Sequence, residues 1–311
     1  MENKTTFTEG LLGLVQKCNS FLRPGSSRDQ CLPFVVAGQK VGLVRPDIVE
    51  ELRKFPLVFS IKESSDVAVH LIPDSLTVAQ RTDVVAGVLD KLRQEDVLGS
   101  LRGWRDEKLD IRLSPREKPI MQMERAATCL FGTIQYGVHL NAYTYNESGE
   151  MMMWIGRRSE TKQTYPGFLD NMCAGALPSG LGVTECLIKE CQEEASVELS
   201  YFEKLTSVGT VSYCFEDERG VFPECQFVYD LVVPADFQPV NADGEVSDFQ
   251  LVSMQQVKKL IISSEFKPNC ALVILDFMIR HGFITADEDP NYTYLVQQMH
   301  VPLQSIFSGH L

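Results

Sequence analysis

Glu190, Glu193 and Glu194 stand at i, i+3 and i+4 within Leu187-Ile-Lys-Glu-Cys-Gln-Glu-Glu-Ala195, directly after a segment rich in Gly, Pro and Ser at 175–182. On a helix, Glu194 lies about 40° around the axis from Glu190 and Glu193 about 60° the other way, so all three carboxylates share one face over a single turn. Such a set suits a hard divalent cation, Mg²⁺ or Mn²⁺, which takes oxygen ligands together with the phosphates of a substrate. Ile188, Cys191 and Ala195 form an apolar stripe nearly opposite Glu190. The helix is therefore expected to pack by that side and to offer its acids to a cleft. A bare acidic run would be read as a solvated face, with Lys189 in surface pairs. The loop in front of it changes that reading.

Counted from Gly175, the segment resembles the Nudix box, Gly-x5-Glu-x7-Arg-Glu-U-x-Glu-Glu-x-Gly-U with U apolar: Gly175 comes first, Glu190 follows the Arg position, Glu193 and Glu194 form the acidic pair, and Cys191 and Val197 fill the apolar slots. Leu181 replaces the first Glu, Lys189 the Arg and Ser196 the last Gly. Lys keeps the charge of Arg but not its planar fork. Glu124-Arg-Ala-Ala, Tyr136-Gly-Val-His-Leu-Asn141, Arg157-Arg-Ser, Tyr165-Pro-Gly, Leu169-Asp-Asn171, Asp243-Gly-Glu-Val and Phe266-Lys-Pro-Asn269 are similar to segments of the thiamine-pyrophosphokinase-associated Nudix proteins, a branch with its own N-terminal domain.

That resemblance implies a C-terminal Nudix α/β/α sandwich with a mixed sheet. It implies a cation held by Glu190, Glu194 and the Gly175 carbonyl, with Glu193 binding directly or through water. Glu245, in the Asp-Gly turn after the fifth strand, takes the place of a further acid, so it and Glu190 are the candidate bases. Arg157, Arg158 and Lys162 lie before the box and are candidate phosphate ligands, since Arg forks match phosphate geometry. His139 is a candidate substrate contact, although a lone His in a strand is more often satisfied within the fold. Trp154, in the apolar run 151–155, reads as core. The implied activity is Mg²⁺-dependent hydrolysis of a phosphoanhydride in thiamine diphosphate or a related, damaged or analogue, diphosphate. Another nucleoside-diphosphate-X substrate and a weakly catalytic ligand-binding module are the alternatives.

The elements that must position these residues follow from periodicity. The first part reads as a small α+β domain over 1–118: a helix carrying Leu11, Leu14, Val15 and Cys18, a hairpin at 33–44, a helix opened by Pro46, strands near 57–61 and 68–72, and a helix from Val78 with Thr77 and Gln80 spaced as a capping box. Ser114-Pro-Arg-Glu-Lys-Pro119 suits a boundary. Strand patterns at 129–145, 151–157, 170–176, 206–215 and 225–233, the box helix and a helix from about Cys270 make 119–311 the Nudix domain, a three-layer α/β/α unit.

With 311 residues, 44% of them hydrophobic, the chain can bury a sizeable core. Its formal charge of −13 argues against wrapping nucleic acid. Nine cysteines without metal-binding spacing read as free thiols in a reducing, cytoplasmic setting. No apolar run suggests a membrane span, and the N-terminus lacks signal-peptide blocks. The N-terminal domain could complete the pocket, cover the substrate or mediate a homodimer, and its own residues do not choose among these.

Overall fold

The hairpin expected at 33–44 forms as β1 (Leu32–Val36) and β2 (Gln39–Val44) in the computed structural model, which describes residues 4–62 and 67–308. Its two turn residues, Ala37 and Gly38, both have positive φ, the backbone that a two-residue turn needs to match strand twist. Ahead of it runs α1 (Lys4–Cys18); after it come α2 (Pro46–Leu52), β3 (Phe59–Lys62), β4 (Ala68–Leu71) and α3 (Val78–Gln94). Pro46 occupies the first turn of α2, where its missing N–H costs nothing. Thr77 and Gln80 close the capping box at the start of α3. The strands form a mixed sheet in the order β2-β1-β4-β3, with β1 and β4 parallel. Phe34, Phe59 and Phe131 cluster in its core with apolar residues of α2 and α3.

Two short strands that periodicity did not mark follow, β5 (Lys108–Ile111) and β6 (Met121–Glu124). The proline-rich segment 114–119 joins them as a hairpin loop, and Ile111, Met121 and Met123 pack into the same core as the first sheet.

The larger sheet is built from β7 (Gln135–Tyr145), β8 (Met151–Arg158), β9 (Leu169–Asn171), β10 (Cys173–Ala176), β11 (Thr206–Asp217), β12 (Gly220–Val232) and β13 (Val246–Ser253). Its order is β11-β12-β7-β8-β13, and β7 lies parallel to β12. β7 and β8 pair only at Tyr143–Tyr145 with Met151–Met153, then diverge. Into that fork fit β10, paired to β7 at 137–140, and β9, paired to β8 at 155–157. The fork delivers Gly175 to the middle of the sheet.

Helix α4 (Val183–Ala195) falls between β10 and β11; α5 (Met254–Leu260), α6 (Pro268–Arg280), α7 (Tyr292–Gln298) and α8 (Leu303–Ser308) complete the chain. Alternation along the strands splits the packing. Val138, Leu140 and Ala142 join Leu187 and Cys191 of α4 on one face, while Val211, Tyr213 and Val228 join α1, α5 and α6 on the other. The predicted three layers are therefore present, with a mixed sheet, and the smaller α+β region precedes them. Leu11, Leu14, Val15 and Cys18 of α1 belong to this second core, so the N-terminal helix crosses to cover the Nudix sheet. Among the described residues no helix is long and apolar enough to cross a membrane.

Candidate active site

Gly175 fixes the position of Glu190. A Cβ built on this glycine would lie 2.3 Å from the Glu190 carboxyl carbon, so the acid reaches the sheet only because the side chain is missing. Next to it, the backbone N–H of Ala174 donates to Glu194 Oε2 at 3.0 Å. Glu194 is only 6% exposed. These contacts correct the expected orientation of the helix. α4 buries Cys186, Leu187, Cys191 and Ala195, and Glu194 falls inside that arc, while Ile188 sits at its margin. The helix thus presses two of its acids against β10 instead of turning all three toward open solvent.

Two carboxylates packed so closely resist ionisation together. Burial raises the pKa of Glu194 well above the usual range, opposed by the Ala174 N–H and reinforced by Glu190; burial likewise raises that of Glu190, against the pull of Lys189. Glu193 lies apart on the exposed side and bonds Lys189 Nζ at 2.6 Å. Among the described residues no three His, Cys, Asp or Glu side chains converge as a ready metal-ligand set. The oxygen donors here are the Glu190 and Glu194 carboxylates and the neighbouring Gly175 carbonyl.

Glu190 and Gly175 open on a cleft of about 940 Å³ that both halves of the chain line. Arg158, Lys162, Glu245 and Glu193 border it from the Nudix side, and Arg105, Glu107 and Arg125 from the N-terminal region. Lys162 pairs with Glu245 across the rim. Burial would raise the Glu245 pKa, but the hydrogen bond from Lys162 together with the positive charges of Lys162, Arg158 and Arg125 outweighs it, and the carboxyl titrates below its ordinary value. Arg125 pairs with Glu107 at 2.9 Å. Arg105 is exposed at the cleft rim, and the desolvation it does meet and the neighbouring Arg125 both disfavour its charge. An anion would relieve that repulsion.

Of the other residues singled out by sequence, Arg158 lines the cleft and is braced by Asp170 at 2.9 Å and by the Thr164 and Tyr165 carbonyls. Arg157 does not line it: its guanidinium donates to the Gly167 carbonyl and faces Glu265. It holds the 159–168 loop instead. His139 reaches the cleft wall, but is 3% exposed and its Nδ1 lies 2.8 Å from Asn171 Oδ1. Burial pushes its pKa down to about 4, with the nearby Lys267 adding to the effect, so the ring is neutral. From it a buried polar chain runs through Asn171 and Asn141 to Asp230, which Arg280 clamps. Trp154 is core, as expected.

Three contributors escaped the sequence reading. Lys267 pairs with the buried Asp170 at 3.5 Å; burial alone would raise the Asp170 pKa, but Lys267 and Arg158 hold it below the carboxylate range. Both lie in segments that carried the resemblance. Arg105 gave no such signal, because only folding brings it to the cleft.

Comparison with known proteins accords with this geometry. The NUDIX domain family matches residues 135–270, and a domain of unknown function, DUF4743, matches residues 10–135. Nudix hydrolase 20, chloroplastic, of Arabidopsis thaliana is 36% identical over 293 residues, covering 93% of this chain and 78% of the relative. The chain belongs to the Nudix hydrolases. A second relative of this Nudix chain, Nudix hydrolase 24, chloroplastic, of the same plant, is 36% identical over 300 residues, covering 96% of this chain and 79% of its own length. Among solved structures, one from Deinococcus radiodurans is 24% identical, covers 54% of this chain and 97% of its own, and superposes with a TM-score of 0.38. The NUDIX domain of Shewanella oneidensis NrtR, solved with ADP ribose, is 14% identical, covers 50% of this chain and 91% of its own, and gives 0.39.

Proposed function

We propose that this Nudix hydrolase is a Mg²⁺-dependent pyrophosphatase of the thiamine-pyrophosphokinase-associated branch, cleaving the phosphoanhydride of thiamine diphosphate or a related diphosphate to the monophosphate and phosphate. The observation that carries the reading is the close packing of Glu190 and Glu194 against β10, at the mouth of a cleft ringed by cations. All the donors there are hard oxygens, the set that Mg²⁺ or Mn²⁺ prefers. Glu190, Glu194 and the Gly175 carbonyl would hold the ion, with Glu193 joining through water. Bound there, the ion polarises a phosphoryl oxygen and lowers the pKa of a water.

The chain's own residues do the rest. Arg105 and Arg158 draw the diphosphate into the cleft and offset its charge, which an acidic protein needs to do locally. Glu245, kept ionised by Lys162, accepts the proton of the attacking water. The water oxygen forms the new P–O bond as the bridging P–O bond breaks, and the leaving monophosphate takes the electron pair. The nine free cysteines fit a reducing compartment, and we propose the cytoplasm.

Phosphate release from a panel of diphosphates, with and without Mg²⁺, tests the reading in wild type and Glu194→Gln. Expected is Mg²⁺-dependent release from thiamine diphosphate or an analogue, lost in the variant. Release from nucleotide diphosphates alone would overturn the substrate. Absence of release from every member would overturn the activity.

A further inference from the structure

Away from the carboxylates, the cleft ends on a face of the sheet that carries a donor and an acceptor side by side. Phe222, Glu224 and Gln226 alternate along β12, so they project to one side. Directly opposite on β7 stand Gln135, paired with Glu224, and Gly137, paired with Gln226. On β11, Tyr213 faces Glu224 and Phe215 faces Phe222. A Cβ on Gly137 would lie 2.2 Å from Gln226 Oε1, so the glycine gives the amide its place.

Glu224 is held in place by this arrangement. Its Oε2 accepts from the Tyr213 hydroxyl at 2.6 Å and from Gln226 Nε2 at 2.9 Å. No hydrogen bond from a described residue reaches its other oxygen, although the residue lines the cleft. Beside it, Gln135 Nε2 is buried without any hydrogen-bond partner. A buried donor left unsatisfied destabilises the fold, so a ligand that accepts from it recovers that cost. The Phe215 and Phe222 rings lie parallel with centroids 4.6 Å apart. Being paired with each other, they offer a ring an apolar wall next to Glu224.

Resting on the diphosphatase reading above, we propose that Glu224 and Gln135 recognise a planar heteroaromatic ring bearing an amino group beside a ring nitrogen. Glu224 accepts the amino N–H and Gln135 donates to the ring nitrogen; the 4-aminopyrimidine and adenine edges both present this pair. Gly175 lies two strands from β12 and level with Phe227, three residues along from Glu224, so about 14 Å separates Gly175 from Glu224 across the sheet. Glu224 and Glu190 line the same cleft, so a ring seated there leaves its diphosphate the space between them.

The experiment compares kcat/KM of the full chain for thiamine diphosphate and its 4-oxo counterpart, and for adenosine and inosine diphosphoriboses, which separates the two ring sources. Wild type should favour the amino form of one pair. Glu224→Gln, which keeps an acceptor for Tyr213, and Gln135→Leu should each reduce that preference about tenfold or more. Equal losses on both members of a pair, or an unchanged preference, would overturn the proposal. Calorimetry with thiamine and adenosine, free of phosphate and of metal, gives a readout independent of turnover. If no diphosphate is hydrolysed but one of these rings still binds and Glu224→Gln weakens it about tenfold, the activity fails and the ring site stands. If neither ring binds, the ring site fails. Gln135→Leu carries the comparison if the Glu224 variant does not fold.

Discussion

Gly175 and Glu190 share a space that a single methyl group would fill, the glycine's absent Cβ falling 2.3 Å from the glutamate's carboxyl carbon. The backbone there is held in register by β7, so relief must come from the Glu190 side chain. Gly175→Ala should therefore cost little stability but move the carboxylate. We expect kcat to fall about 100-fold, as for displacements near 1 Å in a site that depends on geometry, with a thermal midpoint close to wild type. A variant that melts far earlier, or that turns over normally, would show that the contact is not what places Glu190.

Ser196 ends α4 with φ of 52°, where the Nudix box has glycine. A residue with a Cβ is strained in this left-handed region. Its hydroxyl recovers part of that cost by donating to the Val240 carbonyl at 2.9 Å, in an exposed position. Ser196→Gly should stabilise the chain by up to about 1 kcal/mol, read as a higher urea midpoint at unchanged slope. A lower midpoint would mean that the Val240 bond outweighs the strain.

Much of this architecture was legible because its signals are local. The Thr77–Gln80 box, Pro46 in the first turn of α2 and the strand alternation along β7 depend on neighbours in the chain. β13 escaped because a bulge between Val246 and Asp248 breaks its alternation. The spacing of Glu190, Glu193 and Glu194 marked the acids, but not which two press against the sheet. That depends on the Ala174 N–H and on Gly175, which meet α4 only through the sheet. Arg105 is likewise a product of tertiary structure, delivered to the cleft from the N-terminal half.

His139 should make stability depend on pH. Its folded-state pKa is about 4 against the usual 6.5, because burial disfavours the imidazolium; Lys267 disfavours it further, while Asp170, Asn171 and Gln226 favour it. The unfolded chain therefore binds the proton more tightly. The contribution is complete above pH 6.5, declines as pH falls toward 4, and amounts to about 3 kcal/mol at most. His139→Asn keeps a donor toward Asn171 but cannot titrate. It should flatten the stability slope between pH 6.5 and 4, whatever it costs at pH 8. An equal slope in the two proteins would assign the acid sensitivity elsewhere.

Glu194 should be a burden to folding and a requirement for binding a divalent ion. Its pKa is raised by burial and by Glu190, so its ionisation opposes folding: stability is greatest below the ordinary carboxylate pKa and is lost as pH rises through the folded value. Glu194→Gln removes the charge, and the amide oxygen can still accept from the Ala174 N–H. Without added metal, the variant should melt above wild type at neutral pH, the gap closing as pH falls below the usual Glu range. Titrating Mg²⁺ should raise the wild-type midpoint with saturation, as expected when a ligand binds only the folded state, and leave the variant unmoved. These two shifts have opposite signs in one substitution, which a general loss of packing cannot produce. A variant that melts lower at every pH yet still responds to Mg²⁺ would place the ion at other residues.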